Sequence, residues 1–558
     1  MTMEKRVRTG GALVVEVLKA AGVTRVFCVP GESYLAVLDA LYASGIAVTI
    51  CRQEGGAAMM AEAWGKLTGQ PGVCLVTRAP GATNAASGIH VASHDSTPLV
   101  VLVGQIETGF RERGAFQEID YRQVFGGLAK WATEIDCAAR IPELLGRAFT
   151  VATSGRPGPV VVGLPEDALL GTTEYGCVSP PVHVETLPGL TLMAELQKKL
   201  WAARAPVMIL GGSCWTRAAV ASVRRFAERF DLPVVCSFRR QGTFDHTHRN
   251  YAGDLGFGPN PMLIARLRAA DLVLAVGTRL SEVPSQSYEL FPVPDTGRTL
   301  IHVHPDAGEL GRVYRPTLAI QASPSGFAAA LEGLQPPNQI SWSEATWAAH
   351  ADYVAWSKPP ATNPGPVHLG PIMDYLNATL PADAIISNGA GNYAIWVHRF
   401  LKFRCPDGQL APTSGSMGYG LPAAVTAKLC HPDRLVVAFA GDGCFQMTMQ
   451  EFGTAVQAGA AVVVVVVDNG IYGTIRMHQE RTYPGRVVGT DLVNPDFAAL
   501  AEAYGGFGAR VTTTAEFAPA FEAAIASGRP AILHVKLDPE AISPTATITG
   551  LRTAARKH

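Results

Sequence analysis

The fold is decided by two apolar runs that end in polar residues, Arg434-Leu-Val-Val-Ala-Phe-Ala-Gly-Asp-Gly443 and Ala461-Val-Val-Val-Val-Val-Val-Asp-Asn-Gly470. Each run has the length and the apolar composition of a strand that is buried on both faces of a sheet. The residues between them, Gln446–Ala458, are predicted to form a helix. Asp442 and Asn469 lie 469 − 442 = 27 positions apart, which fits one crossover between neighbouring parallel strands.

The residues that follow these two strands predict a metal and phosphate site. Open α/β sheets bind ligands at the carboxyl ends of their strands, where Asp442 and Asn469 both fall. A carboxylate, an amide oxygen and main-chain carbonyls suit Mg²⁺ together with phosphate oxygens. Gly441 and Gly443 let main-chain N–H groups approach a diphosphate at a helix N-terminus. A Gly-Asp-Gly sequence alone indicates only a turn, but its place between two predicted strands favours a ligand site.

Similar apolar runs recur along the chain and alternate with helical patterns, which is typical of parallel α/β units. Further buried strands are predicted at 24–29, 73–77, 99–103, 160–164, 206–210, 233–236, 272–276, 299–303, 384–387 and 531–536. Two Pro-rich stretches, Val178–Gly189 and Gln335–Gly370, are predicted to be linkers. The sequence therefore predicts three Rossmann-like α/β domains with parallel sheets, over residues 1–178, 190–335 and 366–558.

The composition excludes several classes of protein. With 46 Lys and Arg against 47 Asp and Glu, the net charge of −1 provides no basic surface of the kind that nucleic acids or anionic membranes require. An apolar fraction of 48% with only 17% charged residues is too hydrophobic for a disordered chain. There is no apolar run of membrane-span length, no signal-peptide core and no C-x-x-C pair. A cytoplasmic protein that binds neither nucleic acid nor membrane is expected.

Short motifs along nearly the whole chain carry a family resemblance. They are Phe27-Cys-Val-Pro-Gly-Glu32, Arg52-Gln-Glu-Gly-Gly-Ala-Ala58, Pro80-Gly-Ala-Thr-Asn84, Asp95-Ser-Thr-Pro98, Gly155-Arg-Pro-Gly-Pro159, Thr413-Ser-Gly-Ser-Met-Gly-Tyr-Gly-Leu-Pro-Ala-Ala424 and Asn494-Pro-Asp-Phe497. In this order, and with Gly441-Asp-Gly443 between the last two, the chain resembles the acetolactate synthase-like branch of the thiamine diphosphate-dependent 2-oxo-acid decarboxylases and carboligases. The resemblance implies an N-terminal pyrimidine-binding domain, a central domain and a C-terminal diphosphate-binding domain.

The resemblance assigns the catalytic carboxyl to Glu54. A buried carboxyl beside N1′ of the cofactor's aminopyrimidine exchanges a proton with the ring, and the exocyclic imine then removes the proton from thiazolium C2. Met417 matches the apolar residue that holds the cofactor bent, which brings the imine near C2. Gln117 and His478 are added as candidate catalytic residues because they stand where relatives carry active-site side chains.

The resemblance also implies which residues bind the cofactor and the metal. Asp442, Asn469 and the carbonyl of Ile471 match the ligands of Mg²⁺ in the family. The expected cofactor-binding residues are Glu54, Pro30, Thr77, Asn84, Asn392, Tyr393, Ser416, Met417, Gly441, Asp442, Gly443, Cys444, Asn469, Ile471, Tyr472 and Gly473. Among these, Asn392 and Tyr393 replace a Gln-His pair that acetolactate synthases have at the diphosphate.

Several positions depart from the closest branches of the family. Val283 stands where acetolactate synthases have an arginine for the acceptor's carboxylate, so bidentate recognition of that group is lost. His478 stands where they have a tryptophan. Phe116-Gln117 replaces the paired histidines of pyruvate decarboxylases, and Glu54 distinguishes the chain from glyoxylate carboligases. These differences leave the acceptor, and the acetolactate reaction itself, open.

The central domain offers fewer signals. Gly211-Gly212, Gly253–Gly256, Gly277–Arg279 and His304–Asp306 lie where relatives bind FAD or ADP, but Gly-rich turns are common in Rossmann-like domains. FAD, ADP and a vestigial empty pocket are the alternatives there. Because Glu54 and the diphosphate site come from different subunits in the family, the resemblance implies at least a homodimer, and a homotetramer is expected.

The resemblance favours an acetolactate synthase-like transferase or lyase. It would decarboxylate a 2-oxo acid, pyruvate by default, on thiamine diphosphate and Mg²⁺, and ligate the resulting enamine to a second carbonyl compound. The alternatives are a simple decarboxylase that releases an aldehyde, and a thiamine-dependent lyase or hydrolase acting on an acyloin, a diketone or an acyl-CoA. A catalytically silent protein is disfavoured because Glu54, Asp442 and Asn469 are all present. A nicotinamide-dependent dehydrogenase is disfavoured because no Gly-x-Gly-x-x-Gly follows the first strand.

Overall fold

Three parallel sheets, each with helices around it, make up the computed structural model, which describes residues 6–556. Within these residues each of the three sheets has six strands, and every neighbouring pair in them runs parallel. The predicted α/β fold class with three parallel-sheet domains is therefore confirmed.

The N-terminal sheet has the strand order β3-β2-β4-β5-β7-β6, and β1 pairs antiparallel with β8 beside it. The strands are β1 (Arg6–Thr9), β2 (Arg25–Cys28), β3 (Ala47–Ile50), β4 (Gly72–Val76), β5 (Leu99–Gln105), β6 (Trp131–Glu134), β7 (Pro159–Pro165) and β8 (Thr172–Tyr175). The helices are α1 (Gly10–Ala20), α2 (Leu35–Tyr42), α3 (Glu54–Thr68), α4 (Ala79–Asn84), α5 (Ala86–Asp95), α6 (Tyr121–Phe125), α7 (Ile141–Thr153) and α8 (Glu166–Leu170).

The central sheet has the order β11-β10-β9-β12-β13-β14. Its strands are β9 (Pro206–Leu210), β10 (Val234–Ser237), β11 (Tyr251–Leu255), β12 (Leu272–Val276), β13 (Thr299–His304) and β14 (Leu318–Gln321). Its helices are α9 (Leu190–Ala202), α10 (Arg217–Phe230), α11 (Pro261–Ala269), α12 (Pro324–Ala330) and α13 (Ser343–Trp356). Helix α13 lies inside the predicted linker Gln335–Gly370, so that prediction was wrong in part. Prolines flank this segment, but it buries Thr346, Ala349 and Tyr353, and this burial stabilises a helix.

The C-terminal sheet has the order β16-β15-β17-β18-β20-β19. Its strands are β15 (Ile385–Asn388), β16 (Gln409–Leu410), β17 (Val436–Gly441), β18 (Val463–Asp468), β19 (Phe507–Val511) and β20 (Ala531–Lys536). Its helices are α14 (Leu369–Thr379), α15 (Tyr393–Phe400), α16 (Gly420–Cys430), α17 (Asp442–Gln446), α18 (Glu451–Gln457), α19 (Gly473–Thr482), α20 (Phe497–Ala503), α21 (Phe517–Ala526) and α22 (Ile548–Ala555).

The single helix predicted for Gln446–Ala458 was wrong, because α17 and α18 are two short helices separated by a turn. In that turn the Thr448 hydroxyl donates a hydrogen bond of 2.6 Å to the carbonyl of Gly418, outside the helix. A hydroxyl that bonds elsewhere competes with regular helical structure, and the helix is interrupted here.

The strands that the apolar runs predicted are the four inner strands of each sheet. The edge strands β3, β6, β11, β14, β16 and β19 were missed. Edge strands are not covered on both sides and carry more polar residues. In β6, for example, every residue is only partly buried, so its sequence Trp-Ala-Thr-Glu has no apolar run.

The described residues form two compact units. One comprises the residues up to Val184 with Val425–Cys430 and Gln450–Ala458, and the other comprises Glu185–Ala424, His431–Met449 and the residues from Gly459 onward. The N-terminal sheet belongs to the first unit, and the central and C-terminal sheets belong to the second. The three domain boundaries given above stay predictions. Within residues 6–556, none of the helices combines the length and the hydrophobicity needed to span a bilayer.

Helix α22 is held against α19 by a buried ion pair. Glu480 is fully buried and accepts two hydrogen bonds from the Arg552 guanidinium, of 2.8 and 2.6 Å, and one of 3.0 Å from Arg476. Met477 and Ile548 pack in the same small core. The hydrogen bond with Arg552, more than any other contact, lowers the pKa of Glu480 to about 2.

Replacing the arginine of this pair tests the account of the C-terminal helix. Arg552→Leu is expected to lower the melting temperature by a few degrees at neutral pH, because the buried Glu480 loses its bidentate partner. The folded-state pKa of Glu480 lies below its unfolded value of about 4.3, so the pair contributes stability above that pH and loses it as the pH falls toward 2. Thermal melts from pH 7 to about pH 2 should show a constant difference between the two proteins down to about pH 4 and convergence below it.

The exposed Arg529, for which no ion pair is found within residues 6–556, is the matched control. Arg529→Leu should melt like the wild type at every pH. An equal loss in both variants would contradict a specific role for the Glu480–Arg552 pair.

Candidate active site

The pairing of β17 with β18 brings the predicted metal-binding residues together. Gly441 lies opposite Val467 in the register of the two strands, and the chain continues at once into Asp442 and into the turn at Asn469. The Asp442 carboxylate accepts hydrogen bonds of 2.9 Å from the N–H of Gly443 and 2.9 Å from the N–H of Gly470. The first strand end is therefore tied to the second through the carboxylate that sequence analysis singled out.

The donor atoms at these strand ends fit a magnesium ion. Asp442 is 3% exposed. Its Oδ2 accepts from the Gly470 N–H and from Asn494, and its Oδ1, which accepts from the Gly443 N–H, retains a lone pair for a metal. Asn469 offers an amide oxygen and Ile471 a main-chain carbonyl, which completes a hard, all-oxygen set. Within residues 6–556 no group of three or more His, Cys, Asp or Glu side chains is arranged to hold a metal ion.

Asp468, the other carboxylate at this place, is fully engaged by the protein itself. It accepts hydrogen bonds from His534 Nε2 at 2.7 Å, Lys536 Nζ at 2.6 Å and the Gly470 N–H at 3.0 Å. Burial alone would raise its pKa, but the hydrogen bonds from His534, Lys536 and Asn494 hold the pKa well below its usual range. Burial raises the pKa of Asp442, which lacks such cationic neighbours. Asp442 is the carboxylate of the two that is left for a metal.

Asn494 joins the two carboxylates, and sequence analysis did not assign it a role. Its Nδ2 donates to Asp442 at 2.7 Å and to Asp468 at 2.8 Å, while Gln446 donates to its Oδ1 at 2.9 Å. The sequence signal was present, since Asn494 begins one of the motifs that carried the family resemblance. Asn494 lies some 25 residues beyond the predicted end of β18, so the sequence pattern did not indicate a contact with Asp442.

The residues predicted for the diphosphate surround the same strand ends. The Tyr393 hydroxyl accepts a hydrogen bond from the N–H of Gly389 at 3.0 Å and lies 3.3 Å from Cys444 Sγ. Asn392 accepts a hydrogen bond of 2.9 Å from Thr474 in α19. At Gly443, a Cβ atom would come within 2.5 Å of the Tyr472 ring, which explains why glycine occupies this position.

The segment that contains Ser416 and Met417 lies beside this group. Met417 packs against the same hydrophobic core as Tyr393 and Cys444, and the Ser416 hydroxyl donates to the carbonyl of Met417 at 3.1 Å. The Ser414 hydroxyl is buried and has no hydrogen-bond partner within the described residues. A buried polar group without a partner is costly, so this hydroxyl fits a site at which a polar ligand binds.

The second group of predicted residues lies in the N-terminal unit. Asn84 donates a hydrogen bond of 3.0 Å to Glu54, and a Cβ atom on Gly81 would lie 3.1 Å from the same carboxylate. Thr77 hydrogen-bonds Ser33 at 3.0 Å. These contacts gather Glu54, Thr77 and Asn84 at the carboxyl edge of the sheet, where β2 and β4 end.

Pro30 and Gln117 border the same place. Pro30 directly follows the turn out of β2, and a Cβ atom on the adjacent Gly31 would lie 2.4 Å from Thr77. The carbonyl of Gln117, a residue with a positive φ of 65°, accepts a hydrogen bond of 3.3 Å from the N–H of Ala79. The structure thus places every predicted N-terminal site residue along one edge of this sheet.

Glu54 is less buried in this chain than the resemblance implied. It is the first residue of helix α3, and its side chain is half-buried. Gln53 caps the helix by accepting a hydrogen bond of 3.1 Å from the N–H of Gly56. The capping residue fixes the direction in which the chain enters the helix, and thereby where the Glu54 side chain begins.

Glu451 supports this helix start, and sequence analysis missed it. Its carboxylate is fully buried and accepts hydrogen bonds from the main-chain N–H groups of Arg52, at 3.1 Å, and Gln53, at 3.0 Å. The Thr454 hydroxyl donates to it at 2.7 Å. Burial raises the pKa of Glu451 although these donors oppose the change. Glu451 lies about 400 residues after Glu54 in the sequence. Its role at the start of α3 is therefore visible only in the three-dimensional structure.

Among residues 6–556, no hydrogen bond or ion pair joins His478 or Val283 to either group. His478 lies on the exposed side of α19, and Val283 is a partly buried residue of a loop in the central domain. Their catalytic or specificity roles stay predictions.

Main-chain packing explains two glycine turns of the central domain. A Cβ atom on Gly212 would lie 2.3 Å from the carbonyl of Gly277, and one on Gly277 would lie 2.4 Å from the carbonyl of Gly211. Trp215 and Arg240 donate hydrogen bonds of 2.8 and 2.6 Å to the carbonyls of Gly211 and Gly212. These two turns are therefore filled by the protein itself, and the binding of FAD or ADP in the central domain stays a prediction.

Comparison with known proteins agrees with this geometry. Three family models of thiamine pyrophosphate enzymes match the chain. The N-terminal TPP binding domain matches residues 8–124, the central domain matches residues 193–331, and the C-terminal TPP binding domain matches residues 389–535. The acetolactate synthase isozyme 2 large subunit of Escherichia coli is 32% identical over 540 residues, which is 95% of each chain. The acetolactate synthase large subunit of Corynebacterium glutamicum is 32% identical over 92% of this chain and 84% of its own.

A more distant organism provides a match of similar extent. The probable acetolactate synthase large subunit of Methanocaldococcus jannaschii is 31% identical over 553 residues, which is 96% of this chain and 93% of that protein.

The support that Glu451 gives to the start of α3 can be measured. Glu451→Leu leaves the N–H groups of Arg52 and Gln53 without an acceptor, and each such buried group costs about 1–3 kcal/mol. The expected loss is thus about 2 kcal/mol or more in the free energy of unfolding, measured by urea denaturation. Thr454→Val removes only the hydroxyl donor and should cost less. Equal stabilities of the two variants would show that the carboxylate does not hold this helix start.

Proposed function

The chain belongs to the thiamine pyrophosphate enzyme family, and on this premise we propose that it is an acetolactate synthase-like carboligase dependent on Mg²⁺. The reaction is decarboxylation of a 2-oxo acid, pyruvate by default, followed by ligation of the remaining two-carbon unit to a second carbonyl compound. The observation that carries the proposal is the meeting of Asp442 with the Asn469–Ile471 turn at paired strand ends, in the domain that matches the TPP-binding model. The names of the relatives supply the type of reaction.

The proposed metal ligands are the Asp442 carboxylate, the Asn469 amide oxygen and the Ile471 carbonyl. These residues would hold Mg²⁺, and Gly441, Gly443, Cys444, Tyr472 and Gly473 would line the diphosphate of the cofactor together with Asn392, Tyr393, Ser416 and Met417. Main-chain N–H groups at the start of α17 would face the anionic phosphate oxygens.

Thiamine diphosphate, when bound, supplies a nucleophilic carbon and an electron sink for the leaving carbon dioxide. Glu54 would hold the proton that is exchanged with the pyrimidine ring, and Asn84, whose amide contacts its carboxylate, would keep that side chain oriented. Pro30 and Thr77, on the same sheet edge, would bound the pyrimidine site. Removal of water from around Glu54 on assembly would strengthen these contacts.

Gln117 and His478 are proposed to face the substrates. Gln117 can donate a hydrogen bond to the oxygen of a carbonyl through its side-chain amide. The imidazole of His478 can donate or accept a hydrogen bond, whereas an indole can only donate one. Val283 provides no positive charge for an acceptor's carboxylate, so the proposal includes acceptors other than a second 2-oxo acid.

The assembly is proposed to be at least a homodimer, and a homotetramer is favoured by the resemblance, with the cytoplasm as the compartment. Glu54 is half-buried in the single chain, and a second subunit would complete its burial. FAD and ADP have no step in this reaction. The visible absorbance of the purified protein and the nucleotides released on denaturation would show whether either is bound.

Glu54→Gln tests the catalytic assignment. The substitution keeps the size and hydrogen-bonding capacity of the side chain but removes the ionisable group, so kcat for carbon dioxide release should fall by at least about 100-fold. Cofactor binding, followed by quenching of tryptophan fluorescence, should be retained. Wild-type turnover in this variant would refute the proposed role of Glu54.

Asp442→Ala tests the metal assignment. Without the carboxylate, Mg²⁺ loses its one charged protein ligand in the proposed set, and Mg²⁺-dependent binding of thiamine diphosphate should be lost in isothermal titration. Asp442→Asn retains an oxygen and should bind more weakly than the wild type rather than not at all. If Asp442→Ala binds cofactor with wild-type metal dependence, the metal lies elsewhere.

A further inference from the structure

Asn494 lies between two buried carboxylates, Asp442 and Asp468. Its two N–H bonds are divided between Asp442, at 2.7 Å, and Asp468, at 2.8 Å. An ionised carboxylate accepts hydrogen bonds and cannot donate them. The nitrogen of the Asn494 amide, and not its oxygen, must therefore face the two aspartates. The opposite end of the amide accepts from Gln446 at 2.9 Å, which fixes the orientation of the group.

The two carboxylates are not equivalent in how their charge is balanced. Asp468 has Lys536 and His534 within 2.6 and 2.7 Å. For Asp442 no ion pair is found within residues 6–556, and its hydrogen-bond donors are the N–H groups of Gly443 and Gly470 and the amide of Asn494. Of these, the Asn494 amide is the one side-chain donor, and its bond is the shortest.

We propose that Asn494 is a positioning residue that presets Asp442 for the metal, an inference that rests on the proposed function. Its amide ties Asp442 to the neutralised Asp468 at the end of the neighbouring strand. The carboxylate is thereby held in place at the turn that carries Asn469 and Ile471 before any metal binds. Hydrogen bonds from a second layer of residues commonly orient ligands in this way, and their loss costs about 10- to 100-fold in metal affinity.

Replacement of this amide is expected to act on the metal and not on the chemistry. In Asn494→Ala, the Mg²⁺ concentration that half-saturates thiamine diphosphate binding, followed by tryptophan fluorescence, should rise about 10- to 100-fold. At saturating Mg²⁺ and cofactor, kcat should stay near that of the wild type, because Asn494 is not proposed to touch substrate. If only the half-saturating Mg²⁺ concentration rises, the residue acts on the metal, because a residue with a purely structural role would not affect Mg²⁺ alone.

Asp496 provides a matched control two residues away in the same turn. It caps helix α20 by accepting hydrogen bonds of 2.9 and 3.2 Å from the N–H groups of Ala498 and Ala499. Its contact of 3.4 Å with His534 reaches Asp468 through that imidazole and does not involve Asp442. Asp496→Ala should lower the melting temperature through loss of the cap but leave the Mg²⁺ half-saturation unchanged. If both variants raise the half-saturation equally, the effect is a general loosening of the turn, and the inference is overturned.

Gln446→Ala keeps the experiment decisive if Asn494→Ala does not fold. This variant retains the bridging amide but removes the donor that orients it, so the half-saturation should rise by a smaller factor of a few-fold. Unchanged half-saturation in every variant that folds would overturn the inference while leaving the proposed function intact. Failure of the wild-type protein itself to bind thiamine diphosphate with Mg²⁺ would instead refute the proposed function.

Discussion

The parallel pairing of β17 with β18 is the constraint on which the proposed site depends. Because the two strands run in the same direction and Gly441 lies opposite Val467, their polar continuations leave the sheet side by side. The N–H of Gly470 then reaches Asp442 at 2.9 Å and Asp468 at 3.0 Å, so one main-chain group serves both strand ends. A slip of this register by one residue would reverse the faces of the strand and separate the donors from the carboxylates.

Buried carboxylates recur at places where this protein fixes the conformation of a functional segment. Asp468 organises the turn after β18, Glu451 holds the start of α3, and Glu480 anchors α22 to α19. Each is fully buried, and each accepts three or more hydrogen bonds, as a buried charge requires. Main-chain N–H groups are among the donors in every case, so these side chains determine the path of the backbone around them.

Sequence reasoning succeeded where a local pattern reports burial on both faces. It located the inner strands of all three sheets and the polar residues at their ends, because an apolar run bounded by Gly or Asp is a local signal. It missed the edge strands, because their exposed positions carry polar residues that interrupt the apolar run. It also missed α13, because the prolines on either side of this helix are typical of a linker. Glu451 and Asn494 could not be assigned in advance, since their roles follow from contacts with residues distant in sequence. The substrate side of the site, at Gln117, Val283 and His478, stays a matter of prediction.

We propose that the residues at the strand ends of the N-terminal and C-terminal sheets serve thiamine-dependent carboligation. The decisive experiment incubates the purified protein with thiamine diphosphate, Mg²⁺ and a panel of 2-oxo acids, and quantifies carbon dioxide and carbon–carbon ligation products together. We expect carbon dioxide release from at least one 2-oxo acid, dependent on both the cofactor and the metal, with a ligated product formed in step with it. Absence of both carbon dioxide and ligation product from every donor tested, in protein that binds the cofactor, would contradict this proposal.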